Sequence, residues 1–159
     1  MHLSTRGRYA VMAMLDLAKL ETETDRPIPL SDIAERQHLS LSYLEQLFAR
    51  LRRAELVQSI RGPGGGYRLA KAEKTTFLGE IIRAVDEPTD MTGCGKPAEG
   101  VCRPDGKFCN AHKLWVAFGA HIDAFLDSIS LAQVLDDTLT SLPITKQTGK
   151  VSVDVRAGA

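Results

Sequence analysis

The sequence predicts a mainly α-helical chain with one small β-hairpin. Three observations carry that expectation. Apolar residues recur at helical spacing in several segments of the first 85 residues. Two short alternating segments flank the run Arg61-Gly62-Pro63-Gly64-Gly65-Gly66, which can form neither helix nor regular strand. A further amphipathic stripe begins near Ala111.

The elements follow in order. Ser4 or Thr5 can cap a first helix running to about Lys19, and its apolar residues, Tyr9 to Ala18, lie on several faces, as in a helix buried on more than one side. A polar turn, Glu21 to Pro29, ends it. Ser31 is expected to cap a short helix, Asp32 to Gln37, with His38 and Leu39 as the connection. Ser40 or Ser42 caps a third helix reaching Arg53 or Ala54, and Ser42 with Glu45 fits a capping-box pattern. Leu44, Leu47, Phe48 and Leu51 should face the core, leaving Ser42, Glu45, Gln46, Ala49 and Arg53 on an exposed face. Val57 to Ile60 and Tyr67 to Ala70 alternate and read as strands. Phe77 to Val85 is a fourth helix, capped by Thr75 or Thr76. A loop of about 25 residues follows, Asp86 to Asn110, long enough to suggest a function. Ala111 to Asp127 is a strong amphipathic helix with Leu114, Trp115, Phe118, Ile122, Phe125, Leu126 and Ile129 as its stripe. Ser130 caps a last helical segment, Leu131 to Leu139, and the polar tail after Pro143 is expected to be disordered.

Helix, short helix, turn, helix, hairpin is the order of a winged helix-turn-helix domain. The expected organisation is therefore a winged helix-turn-helix at residues 1–75, a linker helix and cysteine loop at 76–110, dimerisation helices at 111–142 and a tail at 143–159. The chain has 159 residues, 43% of them hydrophobic. It shows no apolar run long enough to span a membrane and no signal-peptide pattern, so a cytoplasmic protein is expected. Net charge is zero, yet residues 36–71 carry seven Lys and Arg against two Asp and Glu. Such a local excess steers an anionic partner even on a neutral chain.

The exposed face of the third helix suits double-stranded DNA. Gln46 can make paired hydrogen bonds to adenine, Glu45 can accept from cytosine, and Ser42 can bond several bases. Arg50, Arg52 and Arg53 can neutralise phosphates, which position a protein without reading sequence. Pro63 and Gly64 form the tip of the wing, small enough to approach a minor groove, and Arg61 supplies a cation there. A phosphate-binding loop is excluded, because no Lys-Ser/Thr follows the glycines and Tyr67 begins a strand.

All three cysteines fall within sixteen residues, in the pattern C-x7-C-x6-C-x2-H formed by Cys94, Cys102, Cys109 and His112. Three thiolates and an imidazole complete a set of four ligands, which zinc and iron–sulfur clusters both accept. The long spacers depart from tight zinc knuckles. Cys109 and His112 stand three positions apart at a predicted helix start, on one face. A small redox protein or a zinc-stabilised structural protein would use the same ligands. The redox protein leaves the basic recognition helix unexplained, and nothing resembles a substrate pocket, so an enzyme is not expected; the zinc protein, which would be colourless, is separated from an iron protein by visible absorption.

Gly7-Arg8-Tyr9-Ala10-Val11, Ser40-Leu-Ser-Tyr-Leu-Glu-Gln-Leu-Phe48, Arg61-Gly-Pro-Gly-Gly-Gly-Tyr67 and the cysteine loop running into His112 and Leu114-Trp115 resemble the IscR-like family of iron–sulfur cluster-dependent regulators. The similarity covers Met1 to about Asp137. It implies a homodimer on palindromic promoter DNA and a [2Fe–2S] cluster on Cys94, Cys102, Cys109 and His112, received from the cluster-assembly machinery. It also implies control of cluster-assembly genes, with the loaded form repressing its own operon and the cluster-free form binding a second promoter class. On the same resemblance, Ser42, Glu45 and Gln46 read the major groove and Arg61 the minor groove. The spacers of seven and six residues exceed the five of the best-known members.

Overall fold

The computed structural model describes residues 5–85 and 108–141. Cys94 and Cys102, most of the expected loop, and the tail after Pro143 lie outside the described residues.

The first helix, α1 (Thr5–Glu23), is centred in the core and runs one turn past its expected end at Lys19. Its buried residues are mostly small (Gly7, Ala10, Ala13 and Ala18, with Met14 and Leu17), which lets neighbouring helices approach closely. Thr5 is already helical, so it is not a cap.

The second helix, α2, spans Leu30–Gln37 and starts two residues earlier than expected. Pro29 holds the extended conformation that precedes a helix, and Leu30 is drawn into the core. Ser31 therefore lies inside the first turn and does not cap it; its hydroxyl bonds Asp32 instead. The helix stops at His38, which adopts the left-handed conformation at φ 52° and sends Leu39 N–H back to Ala34 O at 3.0 Å. Asp16 of α1 accepts hydrogen bonds from Gln37 at 2.7 Å and from Arg36, fixing α2 to α1.

The third helix, α3 (Leu41–Arg53), buries Leu44, Leu47, Phe48 and Leu51, as the spacing predicts. Two antiparallel strands follow, β1 (Val57–Ile60) and β2 (Gly66–Leu69), paired Val57 to Leu69 through Ile60 to Gly66. The second strand starts and ends one residue earlier than expected. Its Tyr67 also exchanges two backbone hydrogen bonds with Ile28, at 2.9 and 2.8 Å, adding a third element to the hairpin's edge. The Tyr67 ring meets buried Phe48 edge-on with centroids 5.0 Å apart. Tyr67 thus ties the hairpin to the segment before α2 and to α3 at once.

A 3-10 turn, Glu73–Thr75, leads into α4 (Leu78–Ala84). Neither Thr75 nor Thr76 caps α4: Thr75 ends the 3-10 turn, and the buried Thr76 hydroxyl donates back to Ala72 O. The Glu80 carboxylate reaches back to Phe77 N–H at 3.2 Å and serves the helix start in their place. Helix α5 (His112–Ser128) and helix α6 (Leu131–Leu135) complete the described chain, with a 3-10 turn at Thr138–Ser141. Ser130 caps α6 as expected, its hydroxyl accepting from Gln133 N–H. A bridge between Phe77 and Ser130 returns this segment to the body, and Ile129 and Leu131 are fully buried, Leu131 in the same core as α1 and α3. Among the described residues no helix is long and apolar enough to cross a membrane.

Candidate nucleic-acid interface

The recognition face is defined by what starts α3. The Ser40 hydroxyl accepts Tyr43 N–H at 3.2 Å, so Ser40 is the cap. The expected capping box of Ser42 and Glu45 is therefore corrected: both lie within the helix and neither closes its end. Ser42, Glu45, Gln46 and Arg53 are all solvent-exposed. Arg50 is half-buried in a cleft of about 290 Å³ with Arg53, Ala54 and Ala84, where α3 approaches α4.

The wing tip is a tight turn. Gly62 O accepts Gly65 N–H at 2.9 Å across Pro63 and Gly64. Pro63 supplies the fixed φ wanted at the first central position, and Gly64 supplies the positive φ, +78°, wanted at the second, as in a type II turn. Arg61, Pro63 and Gly64 are exposed. Behind the turn, a Cβ on Gly66 would stand 2.5 Å from the backbone carbon and oxygen of Ile28, so the Tyr67–Ile28 bridge requires glycine there.

The basic segment divides by partner. Arg36 is held by Asp16, and Lys71 by Glu80 at 2.9 Å. Arg52 donates to Ser59 Oγ at 3.3 Å, across the helix-to-wing junction. The hydrogen bond that Arg36 donates to Asp16 raises the Arg36 pKa, the mark of a cation engaged inside its own domain. Arg52, Arg53 and Arg61, on α3 and at the start of the wing turn, are all exposed. Sequence reasoning missed Leu41 on α3; helical projection one turn before Glu45 could have found it.

At the other end of the chain, Cys109 and His112 do come together. Cys109 O accepts His112 N–H at 3.0 Å, so both belong to the turn that opens α5. Cys109 is a half-buried free thiol. Phe108 stacks on the His112 imidazole with centroids 4.2 Å apart, covering one ring face. Among the described residues no group of three metal-ligating side chains forms; Cys94 and Cys102, which would complete the set, lie outside them. One sulfur and one imidazole donor at a shared turn fit a cluster site of mixed thiolate and imidazole ligation.

Helix α5 has no fully buried residue. Leu114 is 61% and Phe125 51% exposed, with Trp115 and Phe118 also open. Its far end is held to α4 by an ion pair between Arg83 and Asp127.

The family model described as Rrf2, iron-dependent transcriptional regulator, matches residues 3–137. The HTH-type transcriptional regulator IscR of Photobacterium profundum is 50% identical over 137 residues, 86% of this chain and 77% of that protein. The corresponding regulator of Klebsiella pneumoniae is also 50% identical, over 86% of this chain and 81% of its own. Among solved structures, IscR of T. potens superposes with a TM-score of 0.68 at 38% identity, covering 89% of this chain and 91% of that one. CymR, the global cysteine regulator of B. subtilis, gives 0.70 at 33% identity over 86% of this chain and 98% of its own. With that reach of similarity, and with recognition helix and wing in their expected order, the chain belongs to the Rrf2 family and is an IscR-type, iron-dependent transcriptional regulator rather than an enzyme.

Proposed function

We propose that the chain controls iron–sulfur cluster biogenesis genes as a cytoplasmic homodimer whose promoter affinity is set by a [2Fe–2S] cluster. Ser42, Glu45 and Gln46 read base edges in the major groove, Arg50 and Arg53 meet phosphates, and Arg61 with Pro63 and Gly64 enters the minor groove. Cys94, Cys102, Cys109 and His112 hold the cluster, which the cluster-assembly machinery donates; when bound, it supplies a centre that responds to redox state and supply. The loaded form represses its own operon, and the cluster-free form keeps a second class of promoter.

The observation that carries this reading is the exposed Ser42–Glu45–Gln46 face beside the wing. Two hydrogen-bonding groups and a carboxylate on one helix face can read base edges, and a carboxylate among basic residues is otherwise unfavourable near phosphates. The pairing into a dimer is supported by the apolar stripe of α5, since a two-fold dimer presents its reading heads to two half-sites.

The experiment is promoter binding by wild type and Cys94→Ala over a salt series. Expected are sequence-specific binding that weakens steeply with salt and a promoter class for which the variant loses affinity. Equal affinity of the two proteins for every promoter overturns cluster gating. The long cysteine spacers favour one second reading, a sensor of nitric oxide or iron supply with a larger cluster on the same ligands.

A further inference from the structure

Leu41 is the first residue of α3, directly after the Ser40 cap, and it is 44% exposed. An isolated exposed leucine is ordinary on a protein surface. The position of this one is not. Leu39, on the other side of the cap, packs against the core, whereas Leu41 is turned away from it. One helical turn separates Leu41 from Glu45, so the two share an edge of the recognition face. Both line a groove of about 310 Å³ together with Gly65, Gly66 and Tyr67 of the wing and the segment Pro29-Leu30-Ser31. Leu41 is therefore the apolar member of a polar reading surface, placed at the end of the helix that enters the groove.

The floor of the DNA major groove offers hydrogen-bond donors and acceptors at every base pair, and one apolar group, the C5-methyl of thymine. We propose that Leu41 is a specificity-determining residue that packs on a thymine C5-methyl in each half-site, next to the base read by Glu45. The inference rests on the DNA-reading role proposed for α3 and adds to it a contact made by shape and apolar surface, which discriminates thymine from cytosine where a hydroxyl or amide would be tolerant.

The test removes the contacting apolar group from each partner in turn. A duplex is first selected from a random pool by the full chain. Each thymine is then replaced singly by deoxyuridine, which deletes the C5-methyl and leaves every hydrogen-bonding group in place. Wild type and Leu41→Ala are titrated against the series. Expected is one thymine per half-site whose replacement weakens wild-type binding by about fourfold, the equivalent of about 0.8 kcal/mol for one buried methyl, and has no effect on Leu41→Ala. Leu41→Met, which keeps an apolar side chain, should retain the deoxyuridine effect. Circular dichroism of the variants verifies folding, and Leu41, lying on the surface, leaves the core untouched. If a duplex is selected but no thymine shows an effect that depends on Leu41, the inference is overturned while the DNA-reading role of α3 stands. If no sequence is selected at all, that role fails and the inference fails with it.

Discussion

Arg83 donates to Asp127 Oδ1 at 2.7 Å, tying α4, which follows the wing, to the last turn of α5. The contact is crowded, since a Cβ on Gly79 would run into the Asp127 carboxylate. Pairing with Asp127 raises the Arg83 pKa. His112 opens α5 and Cys109 lies three residues before it, so α5 runs from the proposed cluster site to Asp127 at its far end, where the ion pair continues to α4. Both side chains are about half exposed, and such pairs contribute about 0.2–1 kcal/mol. Asp127→Ala should therefore lower stability only slightly. It should narrow the difference in promoter affinity between cluster-loaded and cluster-free protein, measured by titration of both forms. An undiminished difference would show that coupling does not pass through this contact.

The exposed stripe of α5 predicts a self-association surface. Introducing a charge at its centre, Phe118→Glu, should leave the fold intact, because Phe118 lies outside the core. Sedimentation equilibrium should show dimer for wild type and monomer for the variant, with affinity for a palindromic duplex reduced by at least about tenfold as the linkage of two half-sites is lost. A variant that remains dimeric would place the dimer contact elsewhere.

Two wing glycines should respond differently to alanine. Gly64→Ala has open space around it and meets only the cost of a left-handed backbone, about 1–2 kcal/mol. Gly66→Ala places a methyl against the Ile28 backbone and should cost more, about 2–4 kcal/mol, because backbone must shift. Urea denaturation measures both. The Gly66 variant should also lose DNA affinity beyond its stability loss, since the wing is displaced; equal effects of the two substitutions would contradict the packing described.

Glu80 and Glu21 make opposite pH predictions. Burial pushes the Glu80 carboxyl up, but hydrogen bonds from Lys71 and Phe77 N–H outweigh it and hold the group below its ordinary value of 4.5. Its stabilising contribution is present above that value and is lost as pH falls through the lowered one. Glu80→Ala should cost about 1 kcal/mol near neutral pH, as a lost helix cap does, and the gap from wild type should close on acidification. Burial raises the Glu21 carboxyl, opposed by its bond from Leu69 N–H at 2.9 Å. Ionised Glu21 therefore weakens the fold as pH rises from its unfolded to its folded value. Glu21→Gln, which can still accept from Leu69 N–H, should be neutral or stabilising at neutral pH. Melting temperatures over a pH series test both signs.

Much of the fold was legible because its signals are periodic. Leu44, Leu47, Phe48 and Leu51 recur at helical spacing and are all buried, and the Gly-Pro-Gly run forms the turn that its residues favour. The cap choices were ambiguous because Ser40 and Ser42 are both good caps, and the position of the helix start depends on Leu39 packing on the core. Ser31 was displaced from its expected role by the burial of Leu30. The Ile28–Tyr67 and Phe77–Ser130 bridges join residues far apart in sequence and leave no periodic trace. For the candidate site, motif spacing alone brought Cys109 and His112 to one turn, whereas Leu41 was hidden by its apolar identity, which reads as core until its place in the helix is known.

The most direct test of the cluster assignment is anaerobic isolation of the full chain, followed by visible absorption and analysis of iron and acid-labile sulfide. Expected are two irons and two sulfides per chain, a coloured protein, and a spectrum altered in His112→Ala but not abolished. A colourless protein holding one zinc would contradict cluster gating and leave a DNA-binding winged helix with a structural metal.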